Sequence, residues 1–445
     1  MSPVSVPHHE DEVAFLKDFR RHFLDSETGL VFTVLDRRTL QPAEDSLFAD
    51  AKNDLTEEIP GFTRAECWMH ENCGMTTGAW LASCALRGDL QAASRALDAL
   101  WKVYQAGKKV APGYFPKFYG RRCSLETSTD QVLYACTGME AYYPKADAAD
   151  RARIEEMIPA MVDFWMERDY RYHYFSLCPD DWQWPIKRFP PLLLLASHYS
   201  DNPRFHAEYE RLAETTRRPE NCQLWGKRQA DYTPTPYEQK EHAWLTVHAS
   251  DRLGMDSINL DMLLRLDPQS PLAAAWREDL GLLWDEARGI VTLDGKYWTA
   301  YLYDFDTNEP RIPGPDCPAP ACPAGLGTMV ARSGLLILRH RRDLAARILP
   351  VVDRILQQPF RQCSYFDGPE YFPEGERYKT RFLSGDATAN WLWASALRRL
   401  EWPDKRTTMM AIPVPNMDNN ADANQGGILS AHGGRRPAAM TALFR

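Results

Sequence analysis

The sequence predicts an all-α protein, an (α/α)6 toroid of helical hairpins with a small peripheral β-hairpin. Three observations predict it. Helical periodicity dominates the 445-residue chain. The helices come in pairs joined by tight turns. Alternate helices open after long, polar, aromatic loops, near His70, Glu126, Asp181, Tyr237, Gly325 and Gly385, and most of these starts lie about 50–60 residues apart. Six pairs, with the N-terminal helix completing the sixth, close a ring. An open α-solenoid is the alternative. It requires short connections and a regular sequence period, and this chain has neither.

Glu12–Ser26 is amphipathic, with Val13, Phe15, Leu16, Phe19 and Phe23 on one side. Gly29–Asp36 alternates as a strand does. Irregular chain is expected to about Cys67. Helices follow over about Glu71–Leu86 and Leu90–Gln105, separated by the Gly88-Asp89 turn. The stretch "SLETSTDQVLYACTGMEAYY" (Ser124–Tyr143) is the next helix and Asp147–Asp169 the one after. "PLLLLASHYS" and "NPRFHAEYERLAETT" form another pair. Helical patterns then cover Tyr237–Leu253, Ser257–Leu266 and Pro271–Glu286, and a hairpin is expected over Ile290–Phe305. Helices at Leu326–His340, Leu344–Gln358 and Ala387–Leu400 finish the set. Residues 1–405 are expected to form one catalytic domain. Residues 406–445, with "NMDNNADANQGG", read as a loosely packed or disordered tail.

Composition narrows the function. Net charge is -9 and well mixed, with no Lys/Arg-rich block, which argues against a nucleic-acid partner. The ten cysteines form no zinc spacing, and no acid-rich loop resembles a calcium loop, so neither metal nor cofactor is expected. Cys67, Cys73, Cys84 and Cys136 lie in apolar contexts and read as buried thiols. The N-terminus has no signal-peptide pattern and no stretch approaches a membrane span. The expectation is a soluble cytoplasmic protein with no membrane partner, with homodimerisation left open. Fourteen Trp and 19 Tyr supply the flat faces on which sugar rings stack.

In a toroid the starts of the inner helices meet at one mouth. "HENCGMTTGAW", the Ser124–Tyr143 stretch, "DDWQWPIKR", "YEQKEHAW" and "SGDATANWLW" all begin polar. One polar start is a cap. Five that converge fit a cavity better.

The pair "ENCGMTTGAWLASCAL" and "PGYFPKFYG…ETSTDQVLYACTGMEAYY" resembles (α/α)6 carbohydrate-active enzymes that act on uronic-acid-containing glycans, nearest to unsaturated glucuronyl hydrolases and related β-glucuronidase-like hydrolases. The resemblance implies a glycoside hydrolase whose partner is an oligosaccharide bearing a uronic acid. N-acetylglucosamine 2-epimerases and some polysaccharide lyases share the toroid, so a sugar epimerase or exolytic lyase using His or Tyr is the alternative. A non-enzymatic helical scaffold is a third.

Glycoside hydrolysis needs two carboxyl groups. Asp130 is the expected acid, flanked by Gln131 and by hydroxyls, and Glu71 its expected partner. Asp386 is a third candidate, although it also fits an N-cap. Trp182 and Trp184 are expected to stack on sugar, and Arg188, with Lys187 beside it, to pair with a uronate. Tyr119, with Arg121 nearby, Glu126, Gln131 and Asn390 are expected to line the same mouth. His70 and His242 serve as sugar ligands or, in an epimerase or lyase, as bases. Tyr365, with Asp367, is expected on a lid.

Overall fold

The computed structural model describes residues 9–51, 59–175, 181–216, 245–248, 250–287, 297–298, 300–304, 309–311, 323–324, 327–369, 372 and 374–403. Contacts group Met1–Pro403 into one unit and Asp404–Arg445 into another; the second, which holds the expected tail, lies outside the described residues. Among the described residues the chain is mostly helical, 69% helix against 4% strand. No described helix is long and apolar enough to cross a membrane.

Thirteen α-helices are described. They are α1 (His9–His22), α2 (Arg64–His70), α3 (Cys73–Arg87), α4 (Leu90–Lys108), α5 (Thr129–Tyr142), α6 (Ala148–Met166) and α7 (Pro190–Tyr199). Then come α8 (Pro203–Leu212), α9 (Asp256–Leu266), α10 (Ala273–Ala287), α11 (Gly327–His340), α12 (Ala345–Leu356) and α13 (Gly385–Glu401). Two kinds alternate. Helices α3, α5, α9, α11 and α13 are buried nearly all round, as a core helix must be. Helices α4, α8 and α12 bury one stripe and expose the rest. The packing follows the alternation: α3 lies between α5 and α13, α11 packs on α13 and α9, and α9 packs on α7.

Helices α3 and α5 approach closely because glycines face each other. A Cβ on Gly138 would meet the Gly78 carbonyl, and a Cβ on Gly78 would overlap the Tyr134 carbonyl and come within 2.6 Å of Ala135 N. The turn after α3 is closed by Gly88 in the left-handed region (φ 76°), and Asp89 then caps α4 by accepting from Ala92 N.

Several expectations need correction. The chain before Cys67 is not all irregular. Thr63 and Glu66 form a reciprocal capping box that starts α2, the Thr63 hydroxyl accepting from Glu66 N (3.2 Å) and Glu66 from Thr63 N (2.9 Å). Glu71 therefore sits in the link between α2 and α3, not in the first turn of a helix. The strand expected over Gly29–Asp36 is only β1 (Val34–Asp36), paired antiparallel with a strand that leads into α13, Phe382–Ser384. Helix over Tyr237–Leu253 is not found where described: Leu245–His248 is strand β2 and Ser250–Met255 a π-helical turn running into α9, with 237–244 outside the described residues. β-Branched Thr246 and Val247 suit the strand. Of the expected hairpin, Tyr297–Trp298 (β3) pairs with Pro323–Ala324, while Ala300–Asp304 (β4) pairs with β2 and with Glu309–Arg311. Residues 288–296 lie outside the described residues.

Asp25 ties the end of α1 to the segment carrying Tyr119. It is almost fully buried and accepts from Thr28 Oγ1 (2.7 Å), Glu27 N (3.1 Å), and Arg121 Nε and Nη2 (2.8 and 3.0 Å). Burial alone pushes this carboxyl up, but the Arg121 fork, the hydroxyl and the N–H outweigh it and hold the pKa at about 2. A depressed folded pKa means that the stabilisation is complete above the unfolded value, 3.8, and is lost as pH falls towards 2. The urea midpoint of Asp25→Asn is therefore expected to lie below wild type at about pH 6, with the gap closing towards about pH 2–3. A gap that stays constant with pH would contradict this.

Candidate active site

The two-residue link between α2 and α3 carries Glu71 and Asn72, and both reach across to other elements. Both Glu71 oxygens are engaged: Oε1 pairs with the buried Lys117 ammonium and Oε2 accepts from the Tyr119 hydroxyl at 2.5 Å. Lys117 reaches this point from the loop before α5, with its Nζ 5.0 Å from the Phe175 ring centre and 5.6 Å from that of Tyr174. Burial, then the Glu71 charge, raises the Tyr119 phenol far above its usual range, so it stays a donor. Gln131 fixes the link to the first turn of α5. Its amide nitrogen donates to the Glu71 carbonyl (3.0 Å) and its oxygen accepts from Gly74 N (3.2 Å). A Cβ at Gly74 would lie 2.6 Å from that oxygen, so a larger residue there would push the Gln131 amide off the link.

Asn72 donates from Nδ2 to Asp386 Oδ2 at 3.0 Å. Asp386 stands in the first turn of α13, where the preceding Ser384 caps Ala387 N (3.0 Å) and Gly385 N donates to the Thr33 carbonyl (2.7 Å). Asp386 is 3% exposed, and its Oδ1 has no hydrogen-bond partner among the described residues. Its pKa is pushed up to about 7. Burial is the main cause; the Asn72 hydrogen bond opposes it, and the charges of Asp130 and Glu71 add to it. One turn later, Asn390 Nδ2 donates to the Asp386 carbonyl (2.8 Å) and Asn390 Oδ1 has no partner among the described residues. Asp130, half-buried in the first turn of α5, lies close enough to act electrostatically on Asp386 and Tyr134. Asp130, Glu71, Tyr119, Gln131, Asp386 and Asn390 thus belong to one group, with Asn72 and Lys117 added.

Arg188 joins its edge, donating from Nη1 to Thr129 Oγ1 at 2.9 Å, while Lys187 pairs with Asp256 at 3.4 Å. Glu126 does not cap α5, which starts at Thr129; its carboxylate accepts from Phe175 N (3.0 Å) and lies 3.3 Å from His173 Nε2. His70 is buried edge-on against Phe32 (ring centres 5.5 Å), with Nδ1 3.3 Å from the Glu66 carbonyl. Burial lowers its pKa, which keeps the imidazole neutral, and its Nε2 meets no partner among the described residues.

Trp184 is buried between Trp165 (5.6 Å) and Tyr174 (5.5 Å), and the half-buried Trp182 packs on it at 4.9 Å. Main-chain bonds Trp184 N to Tyr170 O (2.9 Å) and Tyr172 N to Trp182 O (3.1 Å) hold both in that cluster. Tyr365 belongs to another cluster, edge-on to Trp68 at 5.5 Å, and Asp367 is tied to Arg37 (2.6 Å) and Ser364 Oγ (2.7 Å). His242 lies outside the described residues. Among the described residues no group of three or more His, Cys, Asp or Glu is arranged to hold a metal.

Sequence reasoning missed Lys117, Asn72 and Arg332. Asn72 stood in plain view beside Glu71 in "HENCG", and Arg332 is the one charge inside the apolar run "TMVARSGLLIL". Lys117 in "YFPKFYG" carried no comparable signal, because its role depends on how the loop returns to α2.

The chain matches no protein-family model, and no curated protein matches its sequence. Solved structures do match. A D-mannose isomerase aligns with TM-score 0.51 at 12% identity, over 90% of this chain and 100% of the isomerase chain. An alpha-amylase from Clostridium perfringens aligns with TM-score 0.49 at 10% identity, over 88% of this chain and 99% of the amylase chain. A sugar epimerase from a ruminal bacterium aligns with TM-score 0.47 at 10% identity, over 87% and 99%. All three are sugar-processing enzymes. What the chain shares with the isomerase is the fold, over nearly the whole of both chains.

Proposed function

We propose that this chain is a carbohydrate-active enzyme on an (α/α)6 toroid, and that it hydrolyses a uronic-acid-bearing oligosaccharide with Asp386 as acid and Asp130 as its carboxylate partner. The ring reading rests on the alternation of buried and striped helices and on the packing order α5–α3–α13–α11–α9–α7. The observation that carries the chemistry is the Asp386 carboxyl, buried and shifted to about 7 beside a second carboxylate. Such a group is still partly protonated at neutral pH, and its acid form can pass the proton to a glycosidic oxygen as the C–O bond breaks. Asp130 then takes the proton of an incoming water, or attacks the sugar carbon itself before water releases it. In the first route the water proton held by Asp130 exchanges with solvent and Asp386 is reprotonated from solvent. In the second Asp386, now the base, takes its proton from the water that releases the sugar. Either way one water is consumed. Glu71 fits a different role from the one its position in the sequence suggests. With both oxygens engaged by Lys117 and Tyr119, neither is free to meet a glycosidic oxygen. It fixes those two donors and adds negative charge beside Asp386.

A second reading, isomerisation or epimerisation of a free sugar, is favoured by His70, neutral and with Nε2 unpartnered among the described residues. Heavy-oxygen water separates the two. Incubation with a glucuronide is expected to give a product carrying one heavy oxygen by mass spectrometry. An ultraviolet-absorbing unsaturated product would indicate a lyase. An intact glycoside, together with interconversion of a free sugar, would favour the isomerase.

A further inference from the structure

Most buried side-chain polar atoms without a protein hydrogen-bond partner among the described residues lie on the first two turns of the buried helices, or just before them. They include Ser128 Oγ before α5, both amide atoms of Asn259 on α9, and the Thr328 hydroxyl with Arg332 Nε and Nη1 on α11. Asp386 and Asn390 on α13 belong to the same set. Each such atom destabilises the fold if nothing satisfies it. Their concentration on neighbouring helix starts therefore points to a ligand.

Arg332 stands out because it is a fully buried charge. Its Nη2 donates to the Gly254 carbonyl at 2.6 Å, and its guanidinium carbon lies 5.1 Å from the Tyr134 ring centre and 5.0 Å from that of Trp393. The rings come from α5 and α13, one or two turns after Asp130 and Asp386, and stand 6.2 Å apart. Tyr134 feels the charges of Arg332, Asp386 and Asp130, so one phenol lies between the cation and the two carboxylates. The rings attract the face of the guanidinium, and the Tyr134 phenol stands beside it, yet Nε and Nη1 find no partner in hydrogen-bond geometry among the described residues. The field of Asp261 reaches Arg332, yet that carboxylate is already bound by Arg265 (2.9 Å), Arg339 (3.1 Å) and His340 (2.9 Å). A buried cation with no counter-ion in contact is costly, and an anionic ligand relieves the cost.

We propose that Arg332 selects the substrate, binding the carboxylate of a hexuronate sugar through its open N–H groups. The Asn259 amide and the Thr328 hydroxyl supply further polar contacts to the same sugar. This rests on the function proposed above and adds the residue that reads the charge. The recognition is separate from the proton transfer, so it is measurable without turnover.

Calorimetric titration of the full-length protein with glucuronate, glucose and acetate tests it. Glucuronate is expected to bind at least tenfold more tightly than glucose, with acetate a poor competitor. Arg332→Met is expected to weaken glucuronate binding by on the order of 10–100-fold, leaving glucose nearly unchanged, and Arg332→Lys to recover part of the loss. Equal binding of glucuronate and glucose by the wild type would overturn the proposal, and this arm stands even if Arg332→Met fails to fold. So would acetate competing as well as glucuronate, which would mark a site for any small anion, or a folded Arg332→Met that keeps the preference. A uronate preference that depends on Arg332, without heavy-oxygen incorporation, would uphold the proposal and reject only the hydrolysis.

Discussion

Replacing Asp386 by Asn is expected to leave the fold intact and to lower turnover of a glucuronide by at least about a hundredfold, the usual scale of general acid catalysis. Asn keeps the shape and can still accept from Asn72, but it carries no transferable proton. The same substitution has a second consequence of opposite sign. In the folded protein the Asp386 carboxyl holds its proton up to about 7, while in the unfolded chain it ionises near 3.8. Unfolding therefore releases a proton between these values, so the stability contributed by this group falls as pH rises from 3.8 to 7 and is flat above. Asn does not ionise. The thermal midpoint of Asp386→Asn relative to wild type is expected to climb through that window and to be highest above about pH 7. A variant that loses activity yet gains stability at alkaline pH marks a residue kept for chemistry. Near-normal turnover, or a stability difference independent of pH, would remove Asp386 from the role of acid.

The second large effect is structural. Gly78→Ala is expected to destabilise the protein by at least about 1–3 kcal/mol, because the added methyl meets main chain and not a side chain that can turn aside. Its nearest neighbours are the carbonyl of Tyr134 and Ala135 N on α5. Relief requires α3 and α5 to separate, and Gln131, which bridges α5 to the Glu71 link, moves with them. Chemical denaturation measures the loss. The variant is also expected to lose activity beyond what its folded fraction explains, since Asp130 and Tyr134 ride on α5. Full stability would mean that the glycine contact is not required for the close approach of the two helices.

Much of the fold was legible because it rests on local signals. The period of the apolar residues gave most of the helices, and Gly88-Asp89 gave a turn and a cap. The alternation between long polar loops and tight turns separated the buried helices from the striped ones. What was not legible depends on distant partners. Strand β1 is held by Phe382–Ser384, some 350 residues away, and β2 by β4. The short α2 was hidden because its capping box precedes only seven helical residues.

The same divide runs through the site. Polar helix starts point to Asp130, Glu71, Gln131, Asp386 and Asn390, and the loop "FYGRR" to Tyr119, and the structure gathers them. Their roles could not be ranked from sequence. Rank depends on which carboxylate receives Lys117 and which is left with one amide donor, and that is set by a loop returning to the α2–α3 link. Trp184 reads as a sugar platform in "DDWQWPIKR", but its neighbours Trp165 and Tyr174 make it core. Aromatic residues in polar loops are poorly resolved by composition, because stacking on a sugar and stacking on another ring use the same face.

Infrared difference spectroscopy of wild type minus Asp386→Asn, followed with pH, reads the protonation of this one carboxyl directly. The protonated carboxyl band is expected to persist to neutral pH and to disappear with a midpoint near 7, and to move to lower pH in the Asp130→Asn background, where a nearby negative charge is gone. A band already lost by about pH 5, with no response to Asp130→Asn, would contradict the assignment of Asp386 as an acid poised by its neighbours.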